Sequence, residues 1–195
     1  MNEQIVKEAF SVILKEGLGF DLSDPNLIDT PKRMAKMYCH EFFRNVNKDF
    51  DNFKAFPNSH KYNQIIMSDC IHFVSMCSHH FLPFSGKAWV LYIPKDKLVG
   101  ASKMSRVVEH YSKRPQLQEN LCHEILNSFV KAVDPQGAMV VMHAEHGCMV
   151  HRGVNQYNGS NFMTSAVHGI FLSDPLLEQK GFDLIRISLM DRRLP

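Results

Sequence analysis

"IIMSDCIHFVSMCSHHFLPFSGKAWVLYIP", residues 65 to 94, decides how this chain folds. Its two flanks, "IIMSDCIHFVSMC" and "GKAWVLYIP", are rich in Val, Ile, Phe and Trp and are predicted to be strands. Between them Cys77, His79 and His80 crowd into four positions, followed by apolar residues and Pro83. That cluster is a metal site, an acid–base site or an accident of a core strand. A second stretch, "HAEHGCMVHRG" at 143–153, bears on the choice.

Outward from this hairpin the periodicity is helical. "SKMSRVVEHYSKR" is predicted as a helix ending before Pro115. "QLQENLCHEILNSFVKAV" is a second helix, with Leu117, Leu121, Ile125, Phe129 and Val133 along one stripe. "GAMVVMHAEH" and "NFMTSAVHGIFL" read as strands, and 174–190 as a closing helix. On the N-terminal side, Ile5, Ala9, Val12 and Ile13 mark an amphipathic helix over 3–16 that ends at Gly17. "DTPKRMAKMYCHEFF" opens a further helix, with Thr30 as its cap and Pro31 at the first helical position. Residues 44–64 lack a clear period and are expected to be loop. The order β-β-α-α-β-β behind a helical arm predicts an α+β fold, with helices on one face of an antiparallel sheet. Residues 1–64 form the arm and its loop, and 65–195 one structural unit.

Composition narrows the function. The chain has 195 residues, 45% of them apolar, enough for a real core. A formal net charge of +2 gives no general affinity for nucleic acid or membranes. The start "MNEQIVKEAF" is charged where a secretory signal is apolar, and no run is long enough to span a bilayer, so a soluble, cytoplasmic protein is expected. Five cysteines, Cys39, Cys70, Cys77, Cys122 and Cys148, are an odd number, which favours metal binding or burial over a disulfide framework.

Cys77 and His80 are three apart, a spacing that lets both close on one ion in a tight turn. His146 and Cys148 are two apart and share a face of an extended segment. Five donors thus compete for an ion that normally takes four: Cys77, His79, His80, His146 and Cys148. Thiolate with imidazole selects zinc over magnesium or calcium. A closed structural site would use four of them and a catalytic site three; spacing leaves both open, together with a plain core or loop set. Basic pairs lie elsewhere. Arg33 and Lys36 share a helix face, as do Lys103 and Arg106, which follow Ser102 near a helix N-terminus suited to phosphate. Arg152 lies four residues after Cys148. Each pair can equally be a solvated helix face, but together, beside a metal, they point to a polyanion. Gln118 and Glu119 open the second helix; a carboxylate there can accept two parallel N–H bonds from a guanine edge, or simply suit the helix dipole.

"CSHHFLPFSGKAWVLYIP", "GASKMSRVVEHYSKRPQLQENL", "EHGCMVHRGV", "MTSAVHGIF" and "LIDTPKRMAKMY" resemble the GTP cyclohydrolase I family in order, spacing and content, over roughly residues 5 to 190. The resemblance implies a tunnelling (T-fold) α+β architecture and a homo-oligomeric toroid, commonly a decamer, with sites at subunit interfaces. It implies hydrolytic opening of the imidazole ring of GTP at C8, release of formate and reclosure to 7,8-dihydroneopterin triphosphate. By it Cys77, His80 and Cys148 are the zinc ligands, His146 the main acid/base, His79 a second proton relay, and Ser102 a residue near ribose and phosphates. Arg33, Lys36, Lys103, Arg106 and Arg152 form a triphosphate clamp, and Gln118 with Glu119 reads guanine. The family's common C-E-H-H is here Cys77-Ser78-His79-His80, which removes a carboxylate beside the metal and predicts an altered rate or pH dependence. The loop at 156–162 and the tail 191–195 receive no role. Competing expectations are ring opening without rearrangement, a 7-deazaguanine route, and a zinc-stapled GTP-binding scaffold; retention of Ser102 and His146 favours the full reaction. The nucleophilic-cysteine motif of a T-fold nitrile reductase is not found.

Overall fold

The computed structural model describes residues 1–155 and 161–191; residues 156–160 of the unassigned loop and 192–195 of the tail lie outside the described residues. In chain order the elements are α1 (Glu3–Val12), α2 (Thr30–Lys36), β1 (Ala55–Pro57), β2 (Ile66–Cys77), β3 (Pro83–Ile93), β4 (Lys97–Val99), α3 (Ala101–Ser112), β5 (Pro115–Gln116), α4 (Gln118–Val133), β6 (Gly137–His146), α5 (Gly147–Val150), β7 (Asn161–Gly169), α6 (Ile170–Ser173) and α7 (Pro175–Asp191). Wide i→i+5 turns prolong α1 through Gly17 and α2 through Phe42. The fold is mixed α+β.

Five strands form the main sheet in the order β5-β2-β3-β6-β7. All neighbours are antiparallel except β5, which pairs with β2 in parallel over two residues. A bulge between Ser68 and Ile71, with Cys70 at φ +48°, resets the alternation of β2. Beyond it Ile71, Phe73 and Cys77 face one core, while Cys70 faces the other.

Helices cover both faces, not one as the sequence pattern predicts. α3 and α4 lay Met104, Val107, Val108, Leu121, Ile125 and Phe129 on Ala88, Val90, Tyr92, Ala138, Val140 and Met142. On the opposite face Phe171 of α6 and Ile185 of α7 meet Trp89, Leu91, Met139 and Val141. The physical reason is in β3 and β6 themselves. Both are apolar at successive positions, so both faces need cover from water.

Other differences are local. Asp29 occupies the cap position of α2 without a side-chain capping bond, and Thr30 is already helical. The expected loop 44–64 contains β1, whose partner is β4, with Phe56 opposite Leu98. Such a pairing leaves no local period to read. The last expected strand stops at Gly169, where φ +63° turns the chain into α6.

One close approach holds β3 against β6. A Cβ on Gly86 would lie 2.0 Å from the His143 carbonyl oxygen and 2.6 Å from the Ala144 Cα. Backbone atoms cannot yield as a side-chain end could. Gly86→Ala is expected to lower the unfolding free energy by about 2 kcal/mol or more, read by urea denaturation; an unchanged midpoint would mean the strands can separate there without cost.

Candidate metal centre and proton-transfer site

Two turns converge at one end of the sheet. The first joins β2 to β3. Its neck is closed by the Cys77 N–H donating to Leu82 O at 2.9 Å, and by the Phe81 N–H donating to Cys77 O at 2.9 Å. The Ser78 N–H donates to Gln116 O at 3.0 Å, tying the turn to β5. Phe81 takes φ +49° at its tip and packs against Tyr38 and Phe43 of the arm, with ring centroids 6.3 and 5.3 Å apart. The second turn is α5, directly after β6. It can sit against the start of β3 because residue 147 is glycine: a Cβ there would be 2.8 Å from Pro83 O.

This convergence selects three of the five candidate donors. Ligand atoms of Cys77, His80 and Cys148 all lie within 4.8 Å of one another, with Cys77 buried, Cys148 half-buried and His80 exposed. The two sulfurs are 3.9 Å apart. Two sulfurs on a tetrahedral ion with bonds of about 2.3 Å would be roughly 3.8 Å apart, so the donors fit a thiophilic metal in both chemistry and spacing. Burial, and next the neighbouring Cys77, raise the Cys148 thiol above its ordinary pKa. Arg152 donates from Nη1 to His80 Nε2 at 2.8 Å. A neutral imidazole has one lone pair, so Arg152 and a metal on that ring would draw on the same electrons.

His79 stays outside the trio, its ring 6.2 Å from that of His80 and nearly perpendicular. His146 is also outside it but framed on three sides. Its ring stacks on Phe84 at 4.5 Å and 4°, meets Phe162 edge-on at 5.6 Å, and its Nε2 is 2.8 Å from Gln118 Oε1. Burial lowers the His146 pKa, opposed by the Glu119 carboxylate. Gln118 is 1% exposed and turned inward, whereas Glu119 is exposed beside it. Phe84, Phe162 and Thr164 have no signal in sequence: each earns its place only through the register of β3, β6 and β7.

The basic residues are scattered within one chain. Ser102 and Lys103 begin α3, and Lys103 is buried with its ammonium donating to Asn52 at 2.7 Å. Only the other end of α3 leads to β5 and Cys77, about 15 Å along the helix. Arg106 is exposed beside Asp69, His72 and Glu109, and Arg33 pairs with Asp29 at 3.5 Å on the surface of the arm. A depression of about 740 Å³ lined by Phe50, Phe53, Tyr111, Arg114 and Lys131 includes none of the trio, so donor chemistry and not concavity marks the site.

With this geometry in view, comparison with known proteins is decisive. The family model described as GTP cyclohydrolase I matches residues 6–186. The chain belongs to the GTP cyclohydrolase I family. It is 45% identical over 177 residues to GTP cyclohydrolase 1 of Bacillus subtilis (strain 168), covering 89% of this chain and 90% of that one. It is 44% identical over 189 residues to GTP cyclohydrolase 1 of Bacillus pumilus (strain SAFR-032), covering 95% and 97%. The crystal structure of the archaeosine synthase QueF-Like in the apo form matches at 20% identity with a TM-score of 0.42, over 54% of this chain and 93% of that one, too distant to bear on either fold or function. The family's activity is this chain's activity: it is a GTP cyclohydrolase I enzyme, with GTP as its substrate. Among the described residues no helix is long and apolar enough to cross a membrane.

Two pH effects follow from the site. His146 has a folded pKa below its ordinary 6.5, so its contribution to stability is present above 6.5 and lost as pH falls through the folded value. An NMR titration should give a midpoint below 6.5; one above it would mean the Glu119 charge outweighs burial. A metal held by this trio would have to deprotonate the raised Cys148 thiol, so affinity in chelator competition should fall as the buffer is acidified, and a flat profile would exclude that thiolate as ligand.

Proposed function

We propose that Cys77, His80 and Cys148 bind a zinc ion, and that beside it the chain opens the guanine imidazole ring of GTP at C8, releases formate and forms 7,8-dihydroneopterin triphosphate. The observation that carries this reading is the meeting of two thiols and one imidazole at the β2–β3 turn, with a second, caged histidine nearby. Three protein ligands are the number found in catalytic zinc sites, which keep a further position for reactants. Zinc there supplies Lewis acidity, enough to make water a nucleophile near neutral pH.

The chain's own groups do the rest. Attack at C8 requires a proton at ring nitrogen, and His146 is suited to give and take it because imidazole titrates near neutrality. His79, exposed on the turn, serves as a second relay for the later ribose rearrangement and reclosure. Ser102 lies near ribose and phosphates. Glu119 accepts the N1–H and 2-amino donors of guanine, and adenine would leave that carboxylate unpaired. In this reading Gln118 belongs to the guanine end of the site with Glu119.

Arg33, Lys36, Lys103, Arg106 and Arg152 clamp the triphosphate, with contributions from neighbouring copies. Two features support a homo-oligomeric toroid of T-fold subunits, a decamer in this reading. First, about 15 Å of helix separates the start of α3 from the end near the trio, so a complete clamp needs a second chain. Second, β7 ends the sheet on one side, and on the other β2 carries only the two-residue β5, leaving both edges for pairing between copies. Within each copy, 1–64 is the arm and its loop, and 65–195 the catalytic unit. The setting is the cytoplasm.

Metal analysis combined with incubation on GTP tests the reading: formate and an oxidisable fluorescent pterin should appear together. Cys148→Ser should lose both metal and turnover, and full activity without metal would refute the zinc assignment. His146→Ala should keep metal and GTP binding while formate release falls by about 10²–10⁴-fold; near-normal release would remove its acid/base role.

A further inference from the structure

We infer that Gln118 is the positioning residue of His146: it holds the imidazole as the Nε2–H tautomer and makes Nδ1 the nitrogen that exchanges the proton. The inference rests on the reading of His146 as the acid/base and revises the part taken by Gln118, from contact with the base to control of the histidine.

The argument starts from the amide. Gln118 Nε2 lies 3.2 Å from Met142 O, 3.0 Å from Phe162 O and 3.2 Å from Thr164 Oγ1. Two of these three partners are backbone carbonyls, which only accept. Turned end for end, the amide would set its oxygen against both carbonyls, so its nitrogen must face them. Oε1 is then the atom 2.8 Å from His146 Nε2. A carbonyl oxygen cannot donate, so His146 Nε2 carries hydrogen. In the neutral ring the one lone pair is left on Nδ1, and in the cation the proton released is the Nδ1 proton.

The cage fixes the plane of the ring, and the bond to Oε1 selects the edge that faces Gln118. Phe84 is the cross-strand partner of His146 and stacks flat on it, while Phe162 closes the edge. Phe162 also accepts from Gln118 through its backbone, so one residue anchors both the amide and the ring. Gln118 itself is held by position. It is the first residue of α4, and it is buried over β6 and β7. With its nitrogen bonded to the sheet, the buried amide has no free donor to offer a purine.

Two measurements test this. The first uses the wild-type protein with labelled histidine. The ring nitrogen shifts of His146, assigned by their loss in His146→Ala, should report Nε2–H; an Nδ1–H pattern overturns the inference. The second is Gln118→Met, similar in size and unable to bond the imidazole. It should lower kcat by about 10²-fold with KM for GTP within about 3-fold of wild type, as when a catalytic histidine loses the group that sets its tautomer. A raised KM with unchanged kcat would make Gln118 a base contact and overturn the inference. Metal content, measured on the same preparation, shows that the variant's site is intact. Near-normal formate release by His146→Ala would bring down this inference together with the function of His146, whereas the nitrogen shifts test the Gln118 bond alone.

Discussion

The pairing of β6 with β3 is the constraint from which the site follows. In that register Phe84 faces His146, and Gly86 faces Ala144 closely enough to exclude any side chain. A slip of one residue would send His146 to the opposite face of the sheet and carry α5 away from the β2–β3 turn. The flat ring contact, the nearness of Cys148 to Cys77 and the inward bond from Gln118 all depend on the same alignment. A single backbone ladder thus positions the thiol pair and the histidine together, without a long loop that would have to be ordered separately.

What the sequence made legible was chemistry concentrated in short segments. β6 matches its expected bounds, 137–146, and α4 buries four of the five residues of its expected stripe, Leu121, Ile125, Phe129 and Val133. The donors were visible too, but only as five candidates. Spacing inside a turn says which side chains can share an ion; choosing among donors from two turns requires knowing how the turns meet. Gln118 illustrates the limit more sharply. As a first-turn polar residue it looked ready to face a ligand, yet its burial comes from the way α4 lies over β6 and β7, a relation with no local pattern.

Tertiary context decided the rest. β1 exists because β4 lies beside it, and its three residues are exposed. The cover of the second face by α6 and α7 was implied by the unbroken apolar run of β3, although the order of elements pointed to one face. Lys103 shows the same override: a helix-face lysine, read from its neighbours as solvated or as part of an anion clamp, turns inward to Asn52. Ser78 donates its backbone N–H to Gln116, so the tie of the turn to β5 does not depend on the Ser78 side chain, which puts no charge beside the Cys77–His80–Cys148 trio.

Phe81 gives the N-terminal arm a mechanical hold on the turn that carries Cys77 and His80. Its left-handed backbone sits one residue from His80, and its ring is gripped by Tyr38 and Phe43. Tilting α2 would therefore act as a lever on the β2–β3 turn, because the aromatic joint transmits displacement where a polar surface loop would absorb it. Residues 38 and 43 are thereby a wall of the candidate metal centre as much as part of an appendage.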